Sequence, residues 1–386
     1  MMTEKRVIPI ALPDTGDSEV RAVGEPFASG WLTQGPKVAE FEKAFAARHD
    51  VSFALATTNC TAALHLILAG MGIGPGDEVI VPSFAWVSVA NVAAYCGATP
   101  VPADVDRATF NIDPADAARK VTDRTRAIIA VGLFGLCADI DAISQSARGV
   151  AIVEDAACCA GAAYKGRPAG SLGAAAGFSF HPRKVMTTGE GGMVTTNDPQ
   201  LAERINMLRN HGASVPEEVR HGGQRPYLLP EFNMLGFNYR MTDLQGAVGL
   251  VQLGKLDGFI ADRSRRAAFY SQQLAGIDWL RTPRVPADSV HAWQAYVCRV
   301  DPDAAPMPRN EIMDRLNARG VSTRPGTHAI HMLGHYKRTL GLEPDDLPVS
   351  RDCAMNSMAI PLHNRMSDED YQYVVDAIRE IAAEAS

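Results

Sequence analysis

The chain has 386 residues, 46% of them hydrophobic and 21% charged, and a net charge of −7, a composition ordinary for a globular enzyme with room for two domains. The acidic balance and the lack of a long lysine or arginine run count against a nucleic-acid or membrane-surface partner, so an anionic substrate would need local arginines. Nothing approaches the roughly 20 consecutive apolar residues of a membrane span. Seven cysteines without repeated spacing fit a reduced chain with neither a disulfide scaffold nor a metal site, and without the apolar core of a signal peptide the expected location is cytoplasmic.

Taken in chain order, apolar runs alternate with helical patterns through the first two thirds. Strands are expected at Phe53–Ala56, Glu78–Val81, Thr99–Pro102, Ala127–Val131, Ala151–Glu154, Gly177–Phe180 and Met193–Thr196. Helices such as Thr61–Met71, Val87–Tyr95 and Ile140–Ala147 lie between them. The alternation predicts an α/β fold with a mostly parallel seven-stranded sheet flanked by helices. Residues 211–233 read as a long loop rich in glycine, proline and charge, of the kind that is functional or mobile in compact domains. Past about Leu253 the character changes. A helix from Leu256 to Leu274, a strand at Ala295–Val300 and helices at Arg309–Arg319 and Asp368–Ala382 predict a smaller α+β domain. The expected division is residues 1–253 and 254–386.

The stretch richest in chemistry is Phe178-Ser179-Phe180-His181-Pro182-Arg183-Lys184, followed by Thr188-Gly189-Glu190-Gly191-Gly192. A lysine at the end of a buried strand is costly unless neutralised or bonded. Attachment to an aldehyde cofactor as a Schiff base removes that cost; a solvated loop lysine is the plain alternative. Upstream, Ile152-Val153-Glu154-Asp155 ends a β-branched run in a carboxylate at the carboxyl end of a strand, where open α/β sheets bind ligands. Asp155 could pair with a protonated ring nitrogen, or simply cap the following turn. Thr57-Thr58-Asn59-Cys60-Thr61 supplies a strand end and a helix start, suited to a phosphate, although an N-cap by Asn59 or Thr61 needs no ligand. Lysine and aspartate in this order suggest pyridoxal phosphate.

Together these blocks resemble the DegT/StrS family of pyridoxal-phosphate sugar aminotransferases, of aspartate-aminotransferase-like fold (fold type I). The resemblance runs from Gly30-Trp31-Leu32-Thr33-Gln34-Gly35-Pro36 to Leu362-His363. It includes Pro75–Pro82, Thr109-Phe110-Asn111-Ile112-Asp113, the Asp155 and Lys184 blocks, and Gly236-Phe237-Asn238-Tyr239-Arg240-Met241-Thr242-Asp243. It implies a pyridoxal 5'-phosphate enzyme that moves an amino group from L-glutamate or L-glutamine to a keto sugar, most simply a nucleotide-linked one. Lys184 would carry the cofactor and then move the proton, with Asp155 on the ring nitrogen. Related 3-dehydratases have histidine where this chain has Lys184.

The resemblance also implies that Cys60, Thr61 and Ser179 contact the phosphate, that Trp86 stacks on the ring, and that Asn238 reaches the phosphate of a neighbouring subunit. Each active site of a homodimer would then be shared. Two positions depart from the family: Cys60, commonly glycine, and Cys158, commonly glutamine or histidine near the cofactor's phenolic oxygen. Cys158-Cys159 could also be read as a sulfur-transfer site, but a reactive thiol needs exposure. Trp31, Arg183, Arg240, Arg324 and His328 are the candidate substrate contacts. A keto-cyclitol acceptor and a non-catalytic, cofactor-binding regulator are the alternatives; intact Lys184, Asp155 and Trp86 argue against the regulator.

Overall fold

The computed structural model describes residues 6–147, 149–214 and 229–383, so part of the loop expected at 211–233 lies outside the described residues. The strands are β1 (Phe53–Thr57), β2 (Glu78–Pro82), β3 (Phe84–Ala85), β4 (Thr99–Ala103), β5 (Thr125–Val131), β6 (Ala151–Asp155), β7 (Ala163–Tyr164), β8 (Arg167–Pro168), β9 (Ala175–Ser179) and β10 (Gly192–Thr196), followed by β11 (Leu280–Arg281), β12 (Ser289–Val290), β13 (Tyr296–Val300), β14 (His328–Ala329) and β15 (Ser357–Ile360). A seven-stranded sheet runs in the order β1-β10-β9-β6-β5-β2-β4. Within it β10 is antiparallel to both neighbours, and the pairings from β9 to β4 are parallel. All seven strands lie where the apolar runs place them. Strands covered on both faces read as near-continuous apolar sequence, and β2 and β9 are buried at every position.

The helix expected from Leu256 begins at Asp243 instead and continues to Leu274. Its start is a capping box, with the Thr242 hydroxyl accepting from Gln245 N–H and the Gln245 side chain accepting from Thr242 N–H, an arrangement that satisfies two orphan helix-end donors. Gly246 and Gly249 obscured this first stretch, because glycine lowers helix propensity. Both serve close packing. A Cβ on Gly246 would lie 2.8 Å from Val38 N, and one on Gly249 would lie 2.6 Å from the Phe41 ring. Asp243 in turn accepts from Lys37 N–H (3.1 Å) and Val38 N–H (3.0 Å), capping helix Pro36–Arg48. The expected 253/254 division thus falls inside one continuous helix.

The C-terminal part is built on a three-stranded sheet, β11-β13-β15, with helices Arg309–Ala318 and Asp368–Ala383 and a core that includes Tyr270, Tyr296 and Tyr371. The N-terminal segment joins this part: Ile8 donates to Gly320 O (2.8 Å) and accepts from Ser322 N–H (3.0 Å).

Glu19 ties helix Asp17–Ser29 to the long helix. It is buried and accepts from Lys255 Nζ (2.5 Å), Gln252 Nε2 (2.8 Å) and Gly16 N–H (2.9 Å). Burial alone would raise its carboxyl, but the Lys255, Gln252 and Gly16 donors outweigh it and hold it at about 2. A depressed carboxylate stabilises the fold above the ordinary glutamate range, and that stability is lost as pH falls toward about 2. Glu19→Gln is therefore expected to cost about 2 kcal/mol at neutral pH. The deficit should shrink as pH drops below the ordinary glutamate range, measured by urea unfolding of both proteins along a pH series. An equal deficit at pH 3 and pH 7 would show that charge is not its source.

Candidate active site

Sheet register assembles the site. At the carboxyl edge Thr57, Gly192 and Ser179 lie side by side across β1, β10 and β9, while Asp155 pairs with Gly177 of β9 and Val131 of β5. The Asn59–Cys60 turn lies directly over the start of β10, since a Cβ on Gly192 would come within 2.4 Å of Asn59 C and 2.7 Å of Cys60 N. Helix Cys60–Gly70 therefore begins on this edge, with its positive end toward the site. The Asn59 side chain caps it by accepting from Ala62 N–H at 2.8 Å. No hydrogen bond is made by the N–H groups of Cys60 and Thr61 among the described residues, which leaves two donors for an anion.

Past β9 the chain folds back on itself. Lys184 N–H donates to His181 O at 2.8 Å, Thr188 N–H to Phe180 O at 3.0 Å, and Phe180 N–H to Gly191 O at 2.9 Å. Phe180 is buried against Phe41 and Phe45. The anchored turn holds Lys184 half-buried, with Nζ 3.2 Å from the Cys158 sulfur. Burial acts to lower the Lys184 ammonium, but Cys158, Asp155 and Cys60 outweigh it and hold it above its ordinary value.

Asp155 is buried. Its Oδ1 accepts from Ala157 N–H (3.0 Å) and lies 3.8 Å from the Cys60 sulfur, so it does make the local turn contact expected of a cap. Its Oδ2 makes no hydrogen bond among the described residues. Burial pushes its carboxyl up, against the pull of Ala157 N–H and Lys184. A buried carboxylate with one free oxygen is well matched to a cationic N–H donor.

Trp86 follows β3 and is 61% exposed, not packed into the core. Strand β14 pairs with β3, setting His328 opposite Ala85, and the His328 and Trp86 rings stand 5.7 Å apart at 44°. His331, three residues on, belongs to the core: its Nδ1 meets Ser83 Oγ at 2.6 Å and its Nε2 meets Pro344 O at 3.2 Å. Arg324 and Asn238 are exposed. The Arg183 side chain is exposed too, while its carbonyl accepts from Gln294 Nε2 at 2.8 Å. Arg240 donates to Asn210 Oδ1 at 2.6 Å, and Trp31 donates through Nε1 to Gln34 O at 2.8 Å within its own loop.

Lys184, Asp155, Cys60 and Cys158 thus form one cluster, with Thr61 and Ser179 on the same sheet edge and Trp86 beside His328 on the neighbouring β3–β14 pairing. The described side-chain contacts of Trp31 and Arg240 are with Gln34 and Asn210, and the Arg183 side chain is exposed. Two supporting residues went unassigned in the sequence. Glu154 accepts three backbone N–H groups, from Gly170 (2.9 Å), Leu172 (2.7 Å) and Gly173 (2.9 Å). Asn111 accepts from Leu133 N–H and donates to the carbonyls of Leu136 and Cys137. Glu154 is a polar residue at the end of an apolar run and Asn111 is held between Phe110 and Ile112, which is the signal that could have found them.

A family model described as the DegT/DnrJ/EryC1/StrS aminotransferase family matches residues 13–379. The chain belongs to this family. As a DegT/DnrJ/EryC1/StrS aminotransferase it is a pyridoxal-phosphate enzyme, and the donor set fits that group: free helix-start amides for the phosphate, a carboxylate with a free oxygen for the ring nitrogen, and the Lys184 amine in the same cluster. The chain is 39% identical to a GDP-perosamine synthase of Caulobacter vibrioides over 98% of its length and 100% of that protein. It is 40% identical to the spore coat polysaccharide biosynthesis protein SpsC of Bacillus subtilis, covering 98% of this chain and 99% of that one. A putative sugar aminotransferase of Streptococcus pneumoniae, solved in a PLP-form, superposes with a TM-score of 0.90 at 28% identity, covering 98% of this chain and 100% of that one. Among the described residues no helix is long and apolar enough to cross a membrane, and no cluster of three or more histidine, cysteine, aspartate or glutamate residues could hold a metal.

Proposed function

We propose that this aminotransferase moves an amino group from L-glutamate or L-glutamine to the carbonyl of a keto sugar, most simply a nucleotide-linked one. The observation that carries the chemistry is the Lys184 amine, held at the sheet edge 3.2 Å from Cys158 and beside Asp155. The sugar reading is supported by relatives named for GDP-perosamine and for polysaccharide biosynthesis. When bound, pyridoxal phosphate supplies an aldehyde for amine exchange and a ring that takes up electron density. Lys184 would hold the aldehyde end and, once displaced by the donor amine, move the proton at the substrate carbon that bears nitrogen. Asp155 would keep a proton on the ring nitrogen, the Cys60 and Thr61 amides with Ser179 would hold the phosphate, and Trp86 would cover the ring.

Exposed Asn238 supports a homodimer in which it reaches the neighbouring subunit's site. Arg324 and His328 are proposed to meet the acceptor. The Arg240–Asn210 bond favours a bracing role for Arg240 over carboxylate binding. The cytoplasm is the proposed location.

The test is the visible spectrum before and after L-glutamate, followed by borohydride reduction and peptide mapping. A yellow protein that bleaches with glutamate and carries the reduced adduct on Lys184 is the expected result. A protein that stays colourless with added pyridoxal phosphate overturns the reading, and colour without bleaching points to another donor or to a regulator.

A further inference from the structure

The Cys158–Lys184 contact joins the two groups needed for a covalent switch. Lys184 Nζ stands at hydrogen-bond distance from the Cys158 sulfur, although the residues are 26 positions apart in sequence, because parallel pairing sets the ends of β6 and β9 beside each other. Among the neighbouring thiols, Cys158 is half-buried whereas Cys60 and Cys159 are buried. Cys159 is further occupied by a hydrogen bond to Gly132 O at 3.2 Å. Burial, reinforced by Asp155, pushes the Cys60 thiol well above its ordinary value. Peroxides attack sulfur that they can reach. Of the three, Cys158 alone combines access with an amine partner.

We propose that, when the cofactor is absent, hydrogen peroxide links Cys158 to Lys184 through a reversible sulfur–nitrogen bond that closes the site to pyridoxal phosphate. This rests on the reading of Lys184 as the cofactor-bearing residue. In the first step the thiol is oxidised to a sulfenic acid and one peroxide is reduced to one water. The Lys184 amine, in its neutral form, then attacks that sulfur. The S–N bond forms, the S–O bond breaks, and the hydroxyl leaves with an amine proton as a second water. Sulfenic acids condense with nitrogen in this way. The product lacks two hydrogens relative to the reduced protein. An added thiol attacks the sulfur, releases the amine and takes the sulfur into a mixed disulfide, which a second thiol reduces. With the cofactor bound the amine is occupied and the link cannot form.

The experiment treats the full chain, stripped of cofactor, with hydrogen peroxide, digests it with trypsin and maps the products by mass. The expected species joins residues 149–165 to residues 184–204, lighter by two hydrogens than the two peptides together, and is separated again by dithiothreitol. Uptake of pyridoxal phosphate, read by absorbance, is lost with peroxide and returns with dithiothreitol. Cys158→Ser forms no link, and its own level of uptake is unchanged by peroxide. Protein loaded with pyridoxal phosphate before peroxide is expected to be protected. A Cys158–Cys159 disulfide, or Cys158 in a sulfonic acid with Lys184 free, overturns the proposal. Borohydride reduction of the loaded protein separates the two readings: an adduct on Lys184 with no link in the stripped protein defeats the switch alone, whereas a link with no adduct on Lys184 defeats the proposed cofactor role and, with it, the switch.

Discussion

Lys184→Arg is expected to abolish amination, lowering the donor half-reaction by at least about 10²–10⁴-fold, the contribution of a positioned acid–base group. Arginine keeps a positive charge beside Cys158 and Asp155, so the electrostatic setting of the cluster changes little. What it removes is an amine that can shed its proton, since a guanidinium stays charged. The defect should therefore appear in single-turnover bleaching by L-glutamate and in the absence of a borohydride adduct, while the unfolding midpoint in urea stays near that of the parent. Residual half-reaction at a tenth of the parent rate would move the proton-transfer role to another group.

Glu154→Ala and Asp155→Asn are expected to fail in opposite ways, although the residues are adjacent. Side chains alternate across a strand, and the two carboxylates serve different faces of β6. Glu154 holds the Gly170, Leu172 and Gly173 amides of the segment leading into β9. Its removal strands two buried donors and one part-buried donor at about 1–3 kcal/mol each, not fully additive, so a loss of about 3–5 kcal/mol is expected. Asp155→Asn keeps an oxygen for Ala157 N–H and removes a buried charge whose carboxyl burial already pushes up. Its stability should change by less than about 1 kcal/mol while the glutamate half-reaction slows by about 10²-fold or more. Urea unfolding and stopped-flow bleaching on both variants decide the matter. A stable Glu154→Ala protein, or an active Asp155→Asn protein, would contradict the division of labour.

How much could be read beforehand follows from how local each signal is. The seven strands were legible because burial on both faces leaves a continuous apolar run, and the Lys184 and Asp155 blocks because a charge at the end of such a run stands out. The first turns of the long helix were not, since Gly246 and Gly249 look like helix breakers until Val38 and Phe41 are seen to need the space. In the sequence nothing in the stretch from His328 to His331 sets one histidine apart from the other. The β14–β3 pairing divides the stretch, leaving His328 beside Trp86 and sending His331 to Ser83. Contacts such as Cys158 with Lys184 or Arg240 with Asn210 depend on register and chain reversal, which no window of sequence contains.

The helix Asp243–Leu274 also bears on how such a protein can change over generations. At about 1.5 Å per residue it is a strut of roughly 48 Å, with one end capping helix Pro36–Arg48 and the other ending in the tyrosine core. Many two-part enzymes are joined by a tether that tolerates cutting and splicing. Here a crossover between related genes near position 253 would fuse two half-helices, each cut to match different neighbours. On the proposed acceptor contacts of Arg324 and His328, new acceptor preferences should accordingly be acquired by substitutions near those residues, with the two halves inherited as one block.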